Sequence, residues 1–428
     1  MIRNLLERAR SSGLLQGSAW ILVGLGIQAL LGFVFWLLGA RVATISELGE
    51  ATALFTAIQF VNYASGLGLT IALARHATLQ NRESDALFGW AVVATAVSSV
   101  FFGSVYLAVV DTSATRLVNG SVGSWALFCG FTAATSIALL VDVRLMAARR
   151  WGWLVGRVAF AVLVRLPFVG LDVGMDPAMW LYILMLTPLS LVGIGSLLFL
   201  GRMGCGGISL NRPRALGPFA RYSGVNWVAT LASQAPQFVL PLYVAQEVPP
   251  SVNASFFLAW TVTSLVFLLP AAISQVLLVE GGKDAQLTEA SGVPGSERER
   301  EALVFSVGLA VLAWLGSLVV GPAIAAVFGP DYDQLARLLP ALTLAGIPWA
   351  LASVRLSEAR IRKDQAATVA ITGTLGVTIL VPTILFVPSG GTAAATTAFV
   401  AGNFAGAVVA TLMHERWKRS SRTPSLVA

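Results

Sequence analysis

The chain reads as an all-α polytopic membrane protein, with twelve transmembrane helices in two six-helix lobes around a central cleft. Three observations predict this. First, 56% of its 428 residues are hydrophobic and only 11% charged, a balance that would aggregate as a water-soluble domain. Second, the apolar residues form twelve stretches, each long enough to cross a hydrocarbon core of ~30 Å, which takes about 20 helical residues. Third, the loops between them alternate without a break between arginine-rich and arginine-poor.

In order, the stretches cover 18–40, 48–74, 86–110, 123–147, 153–171, 178–200, 217–245, 252–279, 302–327, 335–354, 366–388 and 391–413. The first is too long and too late for a cleaved secretory signal, and no small-residue cleavage pattern follows a short apolar region. It is expected to stay in the protein. On one side the loops 41–47, 111–122, 172–177, 246–251, 328–334 and 389–390 leave no room for an external domain. The longest connection, 280–301 on the other side, is rich in Gly, Ser and charge and reads as a flexible linker. It closes on a capped helix start, with Ser296 ahead of Glu299.

Basic residues in short loops are held on the cytoplasmic side. Seven clusters share one side: Arg3, Arg8 and Arg10; Arg75 and Arg82; Arg144, Arg149, Arg150 and Arg157; Arg202, Arg212, Arg214 and Arg221; Lys283, Arg298 and Arg300; Arg355, Arg360, Arg362 and Lys363; Arg416, Lys418, Arg419 and Arg422. They hold 24 of the 28 basic residues. The other side has Arg41, Arg116 and Arg337, and Arg165 lies inside a span. Both termini are therefore expected in the cytoplasm. The net charge of +7 is spread over these juxtamembrane clusters, so membrane topology and anionic lipids account for it and a nucleic-acid partner is not expected.

Twelve spans with both ends on one side invite a test for two parallel halves. A shift of 205 residues lays Ser18 on Ser223, Val23 on Val228, Phe33 on Phe238, Ala40 on Ala245, Thr56 on Thr261 and Leu73 on Leu278, and superimposes spans, loops and orientation. The expected organisation is an N-terminal lobe over 1–201 with an amphipathic leader, a linker over 202–216, a C-terminal lobe over 217–413 and a basic tail over 414–428.

Amides inside a bilayer are costly unless they face protein or water. They occur as Gln28, Gln59 and Asn62 in the first two spans, Asn226, Gln234, Gln237 and Gln275 in the seventh and eighth, and Asn403 in the last. Either they stitch helices together or spans 1, 2, 7 and 8 line a shared cavity. Gln59 with Asn62, and Gln234 with Gln237, are three apart and so neighbours on a helix. Pro236, Pro241 and Pro270 interrupt spans 7 and 8, and Gly66-Leu67-Gly68 interrupts span 2; these are packing irregularities or the bendable helices of alternating access.

Charges within spans are costlier still. Arg165, about twelve residues into span 5 and followed by Pro167, is too deep to snorkel and is expected to face the cavity. Asp142 and Arg144 are two apart and do not pair with each other. Asp142 either pairs with an arginine of a neighbouring helix or serves ion coupling, and Arg144 either snorkels or binds. Arg41 and Arg75, at opposite ends of spans 1 and 2, are surface anchors or gates. His76 and His414 stand at helix ends, no spacing suggests a metal site, and no P-loop is present. No cofactor is expected, and Cys129 and Cys205 lie too far apart in this topology for a disulfide.

The run from Gly13 to Ala77, with the Glu47-Leu48-Gly49 turn and the Gly66-Leu67-Gly68 break before Arg75, resembles the N-terminal region of Wzx-type polysaccharide flippases. These exporters of O-antigen and teichoic-acid-like precursors belong to the multidrug, oligosaccharidyl-lipid and polysaccharide exporter superfamily. The resemblance implies a V-shaped pair of six-helix lobes and a transporter, not an enzyme, that moves a polyprenyl-(pyro)phosphate-linked saccharide across the cytoplasmic membrane of a bacterium. Membrane lipids, and glycosyltransferases or a polymerase of the same pathway, are the implied partners. It also implies that Arg165 and Arg144 hold the phosphates, since guanidinium binds phosphate oxygens in bidentate fashion. Gln28, Gln59, Asn62, Asn226, Gln234 and Gln237 would meet sugar hydroxyls, with Arg41, Arg75 and Asp142 in gating or coupling. The alternatives are a drug/cation antiporter of the same superfamily, which would use a buried carboxylate such as Asp142, and a membrane-embedded glycan polymerase.

Overall fold

The computed structural model describes residues 13–76, 81–111, 113–248, 250–288, 296–328 and 334–422. Most of the expected leader and residues 423–428 of the tail lie outside them. The described residues contain helices and no strand, as a bilayer demands of a chain that must satisfy its backbone internally.

The chain divides into two compact units, 1–227 and 228–428. The first contains α1 (Gly13–Val42), α2 (Ile45–Ser65), α3 (Leu69–His76), α4 (Arg82–Val109), α5 (Ser113–Asn119), α6 (Val122–Ala147), α7 (Trp151–Arg165) and α8 (Pro177–Phe199). The helix α9 (Leu216–Glu247) crosses the boundary. The second unit continues with α10 (Pro250–Thr288), α11 (Ser296–Phe328), α12 (Leu335–Leu344), α13 (Gly346–Ile361) and α14 (Gln365–Arg422). Moved on by 205 positions, the end of α1 at Val42 falls on Glu247 and the start of α2 at Ile45 falls on Pro250.

All twelve expected stretches are helical, but among the described residues nine helices are long and apolar enough to span a membrane, or ten if the bent pair α2–α3 is one span. Two local features account for the difference from twelve. Helix α9 is 32 residues long yet carries Arg221, Asn226, Gln234, Gln237, Pro236 and Pro241, which dilute its apolar character. The last two stretches run on as α14, which turns at Gly391, where φ is 54° and ψ −142°.

In the first unit α6 is the central helix, packed against α2, α3, α4, α7 and α8, while α1 lies along α7. Two apolar clusters fill it, one around Leu54, Ile58, Phe128 and Tyr182 and one around Phe35, Leu181 and Met185. In the second unit α13 packs against α10, α11 and α14, around a cluster that includes Phe256, Phe267, Leu339 and Phe399. Outside these cores, Val97, Phe101 and Val105 of α4, Leu312, Leu315 and Val319 of α11, and Val377, Val381 and Leu385 of α14 are exposed. Their spacing of three or four makes one apolar stripe per helix, which lipid covers and water would not tolerate.

The break in span 2 is built from its sequence. Leu67 and Gly68 take positive φ values of 47° and 69°, and α2 and α3 diverge by 51°. A Cβ on Gly68 would lie 2.3 Å from the Ser223 carbonyl oxygen, so only glycine admits the first turns of α9. The Ser223 hydroxyl donates to the Leu67 carbonyl over 2.5 Å, and the Trp227 indole donates to that of Ala64 over 2.8 Å.

The 280–301 connection is shorter than expected, because α10 continues to Thr288. Gly281 is a close-packing residue here, since a Cβ on it would meet Ile361 of α13 at 2.5 Å. Among the described residues α11 runs from Ser296; residues 289–295, immediately before it, and with them the expected helix start, lie outside the described residues. The expected loop 111–122 contains the short α5, preceded by an exposed Arg116–Asp111 pair of 2.8 Å that holds the Asp111 carboxyl below the usual carboxylate range.

Candidate functional site

Arg165 closes α7, because Pro167 lacks an N–H and crowds the preceding turn, and the chain passes into a 3-10 turn over Leu166–Phe168. Its side chain is 2% exposed. The guanidinium carbon stands 4.5 Å from the centre of the Phe35 ring of α1, and Nη1 donates to the Met185 carbonyl of α8 over 3.2 Å. Its Nε finds no acceptor. No carboxylate pairs with this arginine among the described residues, and it is packed inside the first unit instead of facing an open cavity. An arginine keeps its charge, and a buried charge without a partner costs several kcal/mol. Among the described residues this guanidinium is electrostatically unsatisfied.

Asp142, Arg144 and Arg157 of the first unit are paired. Asp142 accepts from Arg157, across the α6–α7 turn. Arg144, 2% exposed, donates to the Ser84 carbonyl over 2.6 Å and to Asp85 over 3.2 Å, and stacks 4.7 Å from the Phe88 ring. It ties α6 to the start of α4 and does not join Arg165. Asp85 in turn accepts Ser209 N–H at its carbonyl, which fixes the segment after α8. In this segment burial pushes the Cys205 thiol above its ordinary range.

Asn62 is a stitch. Its amide donates to Thr135 over 3.2 Å and accepts from Ser136 over 2.7 Å, while Ser98 of α4 donates to the Ser65 carbonyl over 2.6 Å. These bonds hold α2, α4 and α6 together beside the break. Gln59 is exposed although three residues away, so the pair straddles the edge of the buried face. Thr56, Gln59 and Tyr63 share the exposed face of α2, and Gln28 is exposed on α1. Asn226 is buried and donates to the Tyr222 carbonyl one turn back; Gln234 and Gln237 are half-buried. Arg41 is exposed at the end of α1, as a surface anchor would be. Arg75 is 5% exposed and is therefore a packed residue, not an anchor.

A second charged cluster went unread in the sequence, where Arg355 and Arg362 counted as juxtamembrane charges, Glu299 as a capping residue and His414 as a helix-end histidine. Glu358 of α13 is 1% exposed. It accepts from Arg355 over 2.7 Å, lies 2.8 Å from His414 Nδ1 of α14 and 3.8 Å from Arg362. Arg362 also reaches Glu299 of α11 over 2.7 Å and stacks 3.5 Å from the Trp417 ring. The i, i+3 and i, i+4 spacing of Arg355, Glu358 and Arg362 was the available signal. A void of about 20 Å³ beside them has room for a single water. The cluster clasps three helices at the arginine-rich end of the second unit. Among the described residues no group of three His, Cys, Asp or Glu is arranged to hold a metal.

Solved structures match this arrangement of helices over nearly the whole chain. The chain folds like the MATE transporters. It superposes on the crystal structure of a MATE point mutant with a TM-score of 0.74 at 13% identity, covering 96% of this chain and 97% of that one. With a Vibrio cholerae MATE transporter the TM-score is 0.77 at 13% identity, over 95% and 97% of the two chains. A Pyrococcus furiosus transporter of the MOP superfamily, described by the reverse polarity of its binding pocket, matches with a TM-score of 0.72 at 14% identity, over 96% of both chains. No protein-family model and no curated protein matches the sequence.

Proposed function

We propose that the protein translocates a lipid-linked oligosaccharide or polysaccharide precursor across the bacterial cytoplasmic membrane by alternating access, for assembly of a cell-surface polysaccharide. The MATE-like fold supports transport as the general activity. Arg165 carries the choice of substrate: it is the deep charge of the first unit that no carboxylate among the described residues neutralises, and a guanidinium in this state favours a (pyro)phosphate over a cation; because it is buried here, the reading requires that the transport cycle uncover it. Asp142, the carboxylate a cation antiporter would need there, is already engaged by Arg157. Gln28, Gln59, Gln234 and Gln237, which have exposed or half-buried amides, remain available for sugar hydroxyls. Asn62, Asn226 and Arg144 are committed to helix packing.

A drug/cation antiporter is the second reading, favoured by the likeness to a structure described as a multidrug resistance MATE family transporter in an outward-facing conformation, with a TM-score of 0.73 at 13% identity. Expression in a flippase-deficient strain separates the two. Restored surface glycan is the expected result, whereas drug resistance without restored glycan rejects the proposal. Arg165→Ala should abolish export at normal protein levels, and Arg165→Lys should rescue only in part, because lysine cannot form the bidentate contact. Full export by Arg165→Ala makes Arg165 structural.

A further inference from the structure

At the arginine-rich end of the first unit lies a pocket of about 450 Å³ that the transport reading does not use. Gln16 and Trp20 of α1 form one wall. Arg149 and Arg150, in the turn after α6, and Trp151 and Trp153, in the first turn of α7, form the other. The turn lies between two membrane spans, Val122–Ala147 and Trp151–Phe168, and so at the depth of the lipid headgroups.

The lining is a set of donors. Helix α7 starts at Trp151 with no side-chain cap on Arg150, so its first N–H groups have no side-chain acceptor there, and the positive end of its dipole falls at this turn. Independently, Trp151 is 4% exposed and its indole N–H has no acceptor among the described residues, although a buried donor without a partner costs about 1–3 kcal/mol. Two consecutive guanidiniums add charge, and no carboxylate among the described residues lines the pocket. Such a site asks for an anion rich in acceptor oxygens.

The surroundings decide which anion. Trp20 and Trp153 are 39% and 54% exposed and present amphipathic rings at the interface, as the aromatic belts of membrane proteins do. Beyond them Val23 and Leu30 of α1 and Phe160, Leu163 and Val164 of α7 are exposed apolar residues and offer a track for acyl chains. A soluble phosphate would use the donors but not this track. We propose that the pocket binds the phosphate headgroup of an anionic phospholipid of the arginine-rich leaflet, pinning the start of α1 to the start of α7. This assignment is independent of what the protein transports.

The test is native mass spectrometry of the full-length protein with phosphatidylglycerol and phosphatidylcholine of equal chain length. Retention of phosphatidylglycerol at least about tenfold stronger is expected, falling about fivefold in Arg150→Gln, since each basic residue near an anionic headgroup contributes about that factor. Gly152→Trp fills the pocket from a position where an added Cβ meets nothing within 4 Å. It should remove the lipid preference while the thermal unfolding midpoint stays unchanged. Equal retention of the two lipids overturns the proposal, as does undiminished phosphatidylglycerol binding in Gly152→Trp. Displacement of the lipid by millimolar inorganic phosphate also overturns it, by giving the pocket to a soluble anion.

Discussion

Asp142 and Arg144 are separated by one residue and serve different helices, Arg157 of α7 in one case and the start of α4 in the other. Their spacing alone excluded a pair between them. The partners, 15 and 59 residues away, came from packing. Asp142→Asn leaves Arg157 buried opposite a neutral amide, and the expected cost is about 3 kcal/mol. Thermal unfolding in detergent should show it, and Asp142→Leu combined with Arg157→Met should recover most of the loss. Gly68 is the other residue whose identity is dictated by its surroundings. Gly68→Ala must place a Cβ in left-handed backbone, at about 1–2 kcal/mol, and against the Ser223 carbonyl oxygen at 2.3 Å. Loss of the monodisperse peak in size-exclusion chromatography is the expected outcome. Among the expected site residues, burial depth was legible for Arg165. Its stacking on Phe35 was not, because the two lie on helices far apart in the chain and no local pattern links them.

Elements were legible where composition and period agreed. Each apolar stretch became largely helix, and the Gly66-Leu67-Gly68 break fell where the local signal stood. The 280–301 segment was misread over its first part, up to α10's end at Thr288, because glycine serves close packing as well as flexibility and only the distance to Ile361 distinguishes the two. The charged clasp of α11, α13 and α14 was missed for a similar reason: Glu299, Glu358 and His414 are scattered in sequence and converge on one point in space. Glu358→Gln removes the anion that Arg355, Arg362 and His414 share and is expected to lower stability by about 3 kcal/mol. The measurement is the unfolding midpoint of the purified protein, with Lys418→Gln, in an exposed pair of 3.5 Å, as the control that should not move.

At the scale of the whole molecule, the apolar stripes on α4, α11 and α14 and the apolar clusters inside each unit describe a protein whose inside and outside are both hydrophobic. The burial of polar groups, not of apolar ones, therefore distinguishes the interior. The arginine count predicts that both ends of the chain share the cytoplasmic side. Green fluorescent protein fused after Ala428 should fluoresce, and alkaline phosphatase fused there should be inactive; the reverse result rejects the topology.

By itself the sequence determined that the chain is helical, crosses a membrane many times and holds one arginine that topology does not explain. Those properties follow from composition, stretch length and the cost of charge in hydrocarbon, which are local or additive along the chain. The tertiary structure decided which polar groups are already satisfied: it engaged Asp142, Arg144 and Asn62, left Arg165 with one carbonyl and a ring face, and gathered the α7 pocket from two distant segments. Satisfaction of a buried polar group depends on its spatial neighbours, and for these residues the neighbours lie 15 or more positions away in the chain.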